Sequence, residues 1–148
     1  MSHSPDPLSS VNLNLLLFSL AGVCFGVDVA QIREMSTYDG KEAEDLFWFH
    51  QELGMEGKEL IYDAPTVLVI RTGDARKYRV IIDTPADLVD IRIDEIWPFP
   101  RIMAPFVMQK GMWGVALRGE RKILIVDFLF LLRRRSAIKE HDREGRNE

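Results

Sequence analysis

Cysteine is almost missing from this chain. Cys24 is the single one among 148 residues, which excludes an internal disulfide framework and fits a reducing compartment. Histidine is also scarce. His3, His50 and His141 stand far apart, and neither their spacing nor the neighbourhood of His50 with Glu44, Asp45 and Glu52 matches a metal-ligand rule. No glycine-rich phosphate loop and no Ser/His/Asp arrangement is present, and Gly22 and Gly26 do not open a helix. Charge of one sign does not dominate either: the formal net charge is -4, which removes any whole-chain bias toward nucleic acid or acidic membranes. A long apolar run is lacking too. The most apolar stretch, 15–29, is broken by Asp28 and preceded by Asn12 and Asn14, whereas a membrane span needs about 20 apolar residues. Residues 1–10 carry Asp6 and no Lys or Arg, unlike a secretion signal. These absences lead to the expectation of a cytoplasmic protein with no cofactor, no metal, no enzymatic activity and no direct membrane insertion.

What the chain does have is short apolar strands in series. Residues 12–20 are rich in Leu and Phe, Ala21-Gly22 supplies a turn, and Val23, Phe25, Val27 and Val29 alternate with smaller or polar residues, so the pair reads as a hairpin. Residues 31–35 read as a turn of helix or an irregular segment. Residues 66–71 and 77–83 flank Thr72-Gly73-Asp74 as a second hairpin. Val89, Ile91 and Ile93 alternate with Asp90, Arg92 and Asp94, giving one buried and one wet face. Pro98 and Pro100 end regular structure. Residues 112–117 and 121–126 form a third hairpin, and 127–135 read as a helix with Asp127 as N-cap. Many strands and little helix argue for an all-β barrel or sandwich. The organisation expected is a disordered segment 1–10, one domain over 11–135, and a charged tail 136–148.

Several residues invite a functional reading. Phe47, Trp48 and Phe49 are consecutive, and on a strand Trp48 would face away from the other two. It is then a candidate partner anchor, or it packs between lobes of a shortened barrel. Trp113 is expected in the core. Cys24 lies mid-strand, where a small buried hydrophobe is the usual role. Arg133, Arg134 and Arg135 form a basic stretch that would suit nucleic acid, or else a solvated helix end diluted by Glu140, Asp142 and Glu144. The alternative function this leaves open is a small β-barrel that binds nucleic acid or a small ligand.

The order of features resembles the CheW-like domain family. The residues that carry the likeness are the apolar hairpin, Gln31-Ile32-Arg33-Glu34-Met35, a Leu53-Gly54 step, Val80-Ile81-Ile82-Asp83, Val89-Asp90-Ile91, and Ile96-Trp97-Pro98-Phe99-Pro100. The ending, residues 111–117 and Ile123-Leu124-Ile125-Val126-Asp127 with Leu131-Leu132, is similar as well. The resemblance implies two SH3-like β-barrel subdomains sharing a core, with a short C-terminal helix. It also implies a non-catalytic adaptor that couples chemoreceptors to a CheA-like histidine kinase, or binds other CheW-like domains. The segment after the first hairpin would help contact the receptor, with Ile32 and Glu34 in the matching positions; together with Arg33 as an interface charge and Trp48 as the possible anchor, these are the candidate partner-binding residues. The family's Asn-Leu-Arg-Gly hairpin is missing between Met35 and Leu46. The first barrel is therefore expected to be incomplete, receptor coupling weakened, and an open sheet edge available for self-association into a homo-oligomer. Leu117-Arg118-Gly119 resembles the missing motif but belongs by order to the last hairpin.

Overall fold

The computed structural model describes residues 12–55 and 60–146. The expected disordered segment 1–10 lies outside the described residues. Ten strands and three helices follow in the order β1 (Asn12–Leu20), β2 (Val23–Asp28), β3 (Ile32–Thr37), β4 (Leu46–Trp48), α1 (Phe49–Glu52), β5 (Thr66–Ile70), β6 (Arg79–Ile82), β7 (Pro85–Arg92), β8 (Ile96–Trp97), α2 (Ala104–Gln109), β9 (Met112–Arg118), β10 (Arg121–Val126) and α3 (Phe128–Arg146). All three expected hairpins form. Residues 32–37 are a strand, not the irregular segment expected. A 3₁₀ turn, Val29–Gln31, takes up the irregularity just before it, with Asp28 accepting the Ala30 N–H at 2.9 Å.

The strands divide into two sheets. Six run in the order β7-β1-β2-β10-β9-β8, and four in the order β3-β5-β6-β4. Chain order does not predict this division. The N-terminal hairpin joins the C-terminal strands, with β2 lying parallel to β10, and the smaller sheet is built from the middle of the chain. In the larger sheet the two end strands, β7 and β8, are consecutive in sequence and joined by the 3₁₀ turn Ile93–Glu95. That three-residue link curls the sheet into a barrel. Arg118 on β9 reaches across the opening and donates to the Asp90 carbonyl of β7 at 2.7 Å. The result is two SH3-like subdomains, of which the four-stranded one is the incomplete barrel.

Strand β1 explains why its apolar run is so dense. Side chains alternate across a sheet, and both faces of β1 are covered. Leu15 and Leu17 fill the barrel with Ile91, Ala116, Ile123 and Ile125. Leu16, Phe18 and Leu20 face the second core, shared with the smaller sheet through Phe25, Phe49, Val80, Ile82 and Phe128. Phe49 sits at the junction, edge-on to Phe18 and Phe25 with ring centroids 4.9 Å from each and 6.0 Å from Phe128. Gly26 lies inside the barrel, where an added Cβ would stand 2.9 Å from the Ile123 methyl.

Helix α3 closes the shared core with Phe128, Leu131 and Leu132. Asp127 caps it, accepting the N–H groups of Leu129 and Phe130 at 3.0 and 3.2 Å, as an N-cap side chain should. Gln31 clamps the same helix start from the β2–β3 crossover. It donates to Asp127 at 2.9 Å and accepts the Phe128 N–H at 3.0 Å. The helix continues to Arg146, well past the expected end at Arg135. Helix α2 is a further element that the proline-rich stretch gave no reason to expect. Trp113 is 42% exposed, not in the core: Met112, Gly114 and Ala116 occupy the inner face of β9, so alternation turns Trp113 outward.

Candidate functional site

The junction of the two subdomains carries an apolar groove of about 380 Å³. Leu16 forms its floor and Leu88, Pro85, Val29, Ile32 and Met35 its walls. Both subdomains contribute, β1 and β7 from the barrel and β3 from the smaller sheet. Leu88 is 63% exposed and Met35 52%. A β-bulge sets the geometry. Ile32 pairs with Ile70 and Glu34 with Val69, so Arg33 is the extra residue. A bulge re-aims the side chains on either side of it. Ile32 and Met35 therefore line the groove together, whereas Arg33 lines a separate depression beside Val69 and Arg71. Glu34 is exposed on β3 and belongs to neither.

Of the four candidate partner-binding residues, Ile32 is thus in the groove, and Arg33 and Glu34 stand on the same strand outside it. Trp48 lies on β4, at the opposite edge of the four-stranded sheet, three strand spacings or roughly 14 Å away. Its indole is packed edge-to-face with Tyr38 at 5.4 Å and with Tyr62 at 4.9 Å. The Tyr62 hydroxyl accepts the His50 backbone N–H at 3.2 Å and lies 3.1 Å from His50 Nδ1. Burial pushes the Tyr62 hydroxyl up to about 12 and holds the His50 imidazole below its ordinary value. Tyr62 thus covers Trp48, while the neighbouring Ile61 is 86% exposed. Leu88 and Met35 were missed in the sequence. Leu88 had a signal: it is an apolar residue on the face of β7 that Asp90 and Arg92 mark as wet. Met35 had none, because only the bulge brings it beside Ile32.

The basic stretch at the start of α3 has an internal partner. Glu52 is completely buried, and Arg135 forms a short ion pair with its Oε1. Arg134 donates to the Glu52 carbonyl at 2.9 Å and to the Gln109 carbonyl at 2.6 Å. The Arg135 guanidinium also lies over the Phe47 ring, 3.6 Å from its centroid. Beneath them Tyr78 is fully buried, and desolvation, reinforced by Glu52, drives its hydroxyl upward. Two of the three consecutive arginines therefore fasten α3 to the smaller subdomain. Burial also raises the Cys24 thiol, which leaves it protonated, whereas nucleophilic cysteines have depressed values. Among the described residues, no group of three or more His, Cys, Asp or Glu side chains is placed to hold a metal ion, and no helix is long and apolar enough to cross a membrane.

Comparison with known proteins agrees with this architecture. No family model matches the chain. It is similar to the chemotaxis protein CheW of Klebsiella aerogenes, 22% identical over 139 residues that cover 83% of each chain. The crystal structure of the scaffolding protein TtCheW from Thermoanaerobacter tengcongensis superimposes with a TM-score of 0.63, covering 88% of this chain and 92% of that one at 17% identity. The similarity to a CheW protein runs along most of the sequence, and the chain shares the two-subdomain fold of a CheW scaffolding protein.

Proposed function

We propose that the protein is a non-catalytic, cytoplasmic signalling adaptor that couples a CheA-type histidine kinase to chemoreceptors or related partners. The observation that carries this reading is the groove at the subdomain junction. Apolar side chains exposed together in a concave, preformed surface are the usual mark of a protein-binding site, and Ile32 supplies part of its wall. A groove built from two subdomains lets one partner sense how the two are disposed. The remaining faces stay free for a second partner, and holding both raises their effective concentration without chemistry.

The loop 38–45 stands where the family's Asn-Leu-Arg-Gly hairpin would be, and its residues form no strand. Receptor coupling by this chain is accordingly weaker than that of a family member that keeps the hairpin. The nucleic-acid alternative loses its main support, because Arg134 and Arg135 are engaged by Glu52 and the Glu52 backbone. The test is kinase activation in a reconstituted mixture of receptor, CheA-type kinase and this protein, comparing the parent with a Met35→Glu/Leu88→Arg variant. Both positions are largely exposed, so the variant keeps its fold and circular dichroism spectrum. It loses receptor-dependent activation while the parent shows it. Equal activation by parent and variant would sink the assignment of the groove, and no binding of kinase or receptor by the parent would sink the adaptor reading.

A further inference from the structure

The outer face of the four-stranded sheet carries a concentration of positive charge that is at odds with the chain as a whole. Five basic side chains and two carboxylates line a depression of about 620 Å³ there, on a protein of formal net charge -4. The strand register shows how they come together. Val69 faces Arg79 across β5 and β6, and Ile70 N–H donates to the Tyr78 carbonyl at 2.9 Å. Arg71 and Lys77 follow just beyond that contact, next to Ile70 and Tyr78 in the connection between the strands. Leu68, Ile70, Tyr78 and Val80 are buried on the inner face, so alternation sends Val69 and Arg79 to the outer one, and the exposed Arg71 and Lys77 line the same depression. The bulge in β3 adds Arg33 beside Val69.

These cations are unequally satisfied. Asp45 holds Arg79 in a two-pronged pair at 2.6 and 3.0 Å, and Asp74 holds Arg76 at 2.9 Å. Among the described residues, Arg33, Arg71 and Lys77 make no ion pair. The floor between them is the aliphatic Val69. The single aromatic side chain lining the depression, Tyr78, is fully buried and offers no ring for a base to stack on, whereas single-stranded nucleic acid needs stacking platforms on its basic face.

We infer that this sheet face binds an acidic peptide segment of a protein partner, with Arg33, Arg71 and Lys77 meeting carboxylates spaced along an extended chain. The surface is separate from the apolar groove, so a partner held here is additional to whatever occupies the junction.

The experiment is fluorescence anisotropy of a labelled oligoglutamate peptide titrated with the full chain at low salt and at about 0.15 M salt. An Arg71→Gln/Lys77→Gln variant is compared with Arg121→Gln/Lys122→Gln, which removes the same charge from exposed positions on β10. An oligothymidine of equal charge is the competitor. The parent binds the peptide, more tightly at low salt. The Arg71/Lys77 variant weakens binding about tenfold, while the β10 variant stays within about twofold. Arg33→Gln gives a second, independent loss. No peptide binding at low salt, equal weakening by both double variants, or tighter binding of the oligothymidine would each overturn the inference.

Discussion

The two subdomains solve one problem with different lengths of chain. In each, a connecting segment joins the two end strands of the sheet. In the larger it is the three-residue 3₁₀ turn Ile93–Glu95 between β7 and β8, and in the smaller it is the loop 38–45 between β3 and β4. A three-residue link forces the ends of a twisted sheet together, and six strands enclose their own core of Leu15, Leu17, Ile91, Ala116, Ile123 and Ile125. A longer link imposes no such closure. Four strands cannot surround a core of their own, and the smaller sheet takes its buried face from outside, from β1, β2, α1 and α3. Its β4 edge is covered side chain by side chain: Tyr38 and Tyr62 on Trp48, and Arg135 on Phe47. The lesson is that a four-stranded sheet too small to close on itself can persist by borrowing the outer surface of its neighbour. The groove and the basic face then lie where that borrowing leaves surface uncovered.

Three substitutions would break or sharpen this comparison. The largest effect is expected from Phe49→Ala, which removes the ring where the shared core meets both sheets and α3. Loss of a buried aromatic costs about 3–5 kcal/mol, so urea unfolding of the variant should shift strongly to lower midpoint. A single transition at that lower midpoint means the smaller sheet depends on the larger one. Two separated transitions would show that the sheets are independent and that the borrowing argument is wrong. Gly26→Ala acts inside the barrel alone, where the new Cβ meets Ile123, Leu15 and Leu17. Overpacking of this kind costs about 1–3 kcal/mol. Hydrogen exchange should quicken first in β1, β2 and β10, and equal acceleration in β5 and β6 would contradict a self-contained barrel core.

The smallest effect is expected from the ion pair that ties the start of β4 to β6 in the smaller sheet. The Arg79 hydrogen bonds hold the Asp45 carboxyl below its ordinary value. A carboxyl depressed in the folded state contributes stability above its unfolded value and loses that contribution as pH falls through the folded one. Both side chains are partly exposed, so the pair contributes below about 1 kcal/mol. Asp45→Asn should therefore be slightly less stable than the parent at neutral pH, and the two should converge below about pH 4. A difference that persists at acid pH would mean the side chain acts by packing, not by charge.

Local pattern made much of this fold legible. The three hairpins follow from apolar runs around Ala21-Gly22, Thr72-Gly73-Asp74 and Gly119-Glu120. The start of α3 follows from Asp127, because an acceptor side chain before an apolar helical stretch has one efficient use. The order of these features was enough to suggest the family that the comparisons support. Less of the candidate site could be read. Ile32 was placed by family resemblance, yet Trp48 was grouped with it although it lies at the opposite edge of the sheet. Trp113 was expected inside, because a large aromatic beside apolar neighbours does not reveal which face of its strand it takes.

The sequence by itself determined most of the strands, their turns and the helix cap, since each depends on residues within a few positions of one another. Only the tertiary structure decided which strands share a sheet, that one bulged arginine separates Ile32 and Met35 from Arg33 and Glu34, and that Glu52 engages the arginines of α3. Those outcomes depend on pairings between residues some 30 to 100 positions apart, and no local pattern encodes the register or the partner chosen across such distances.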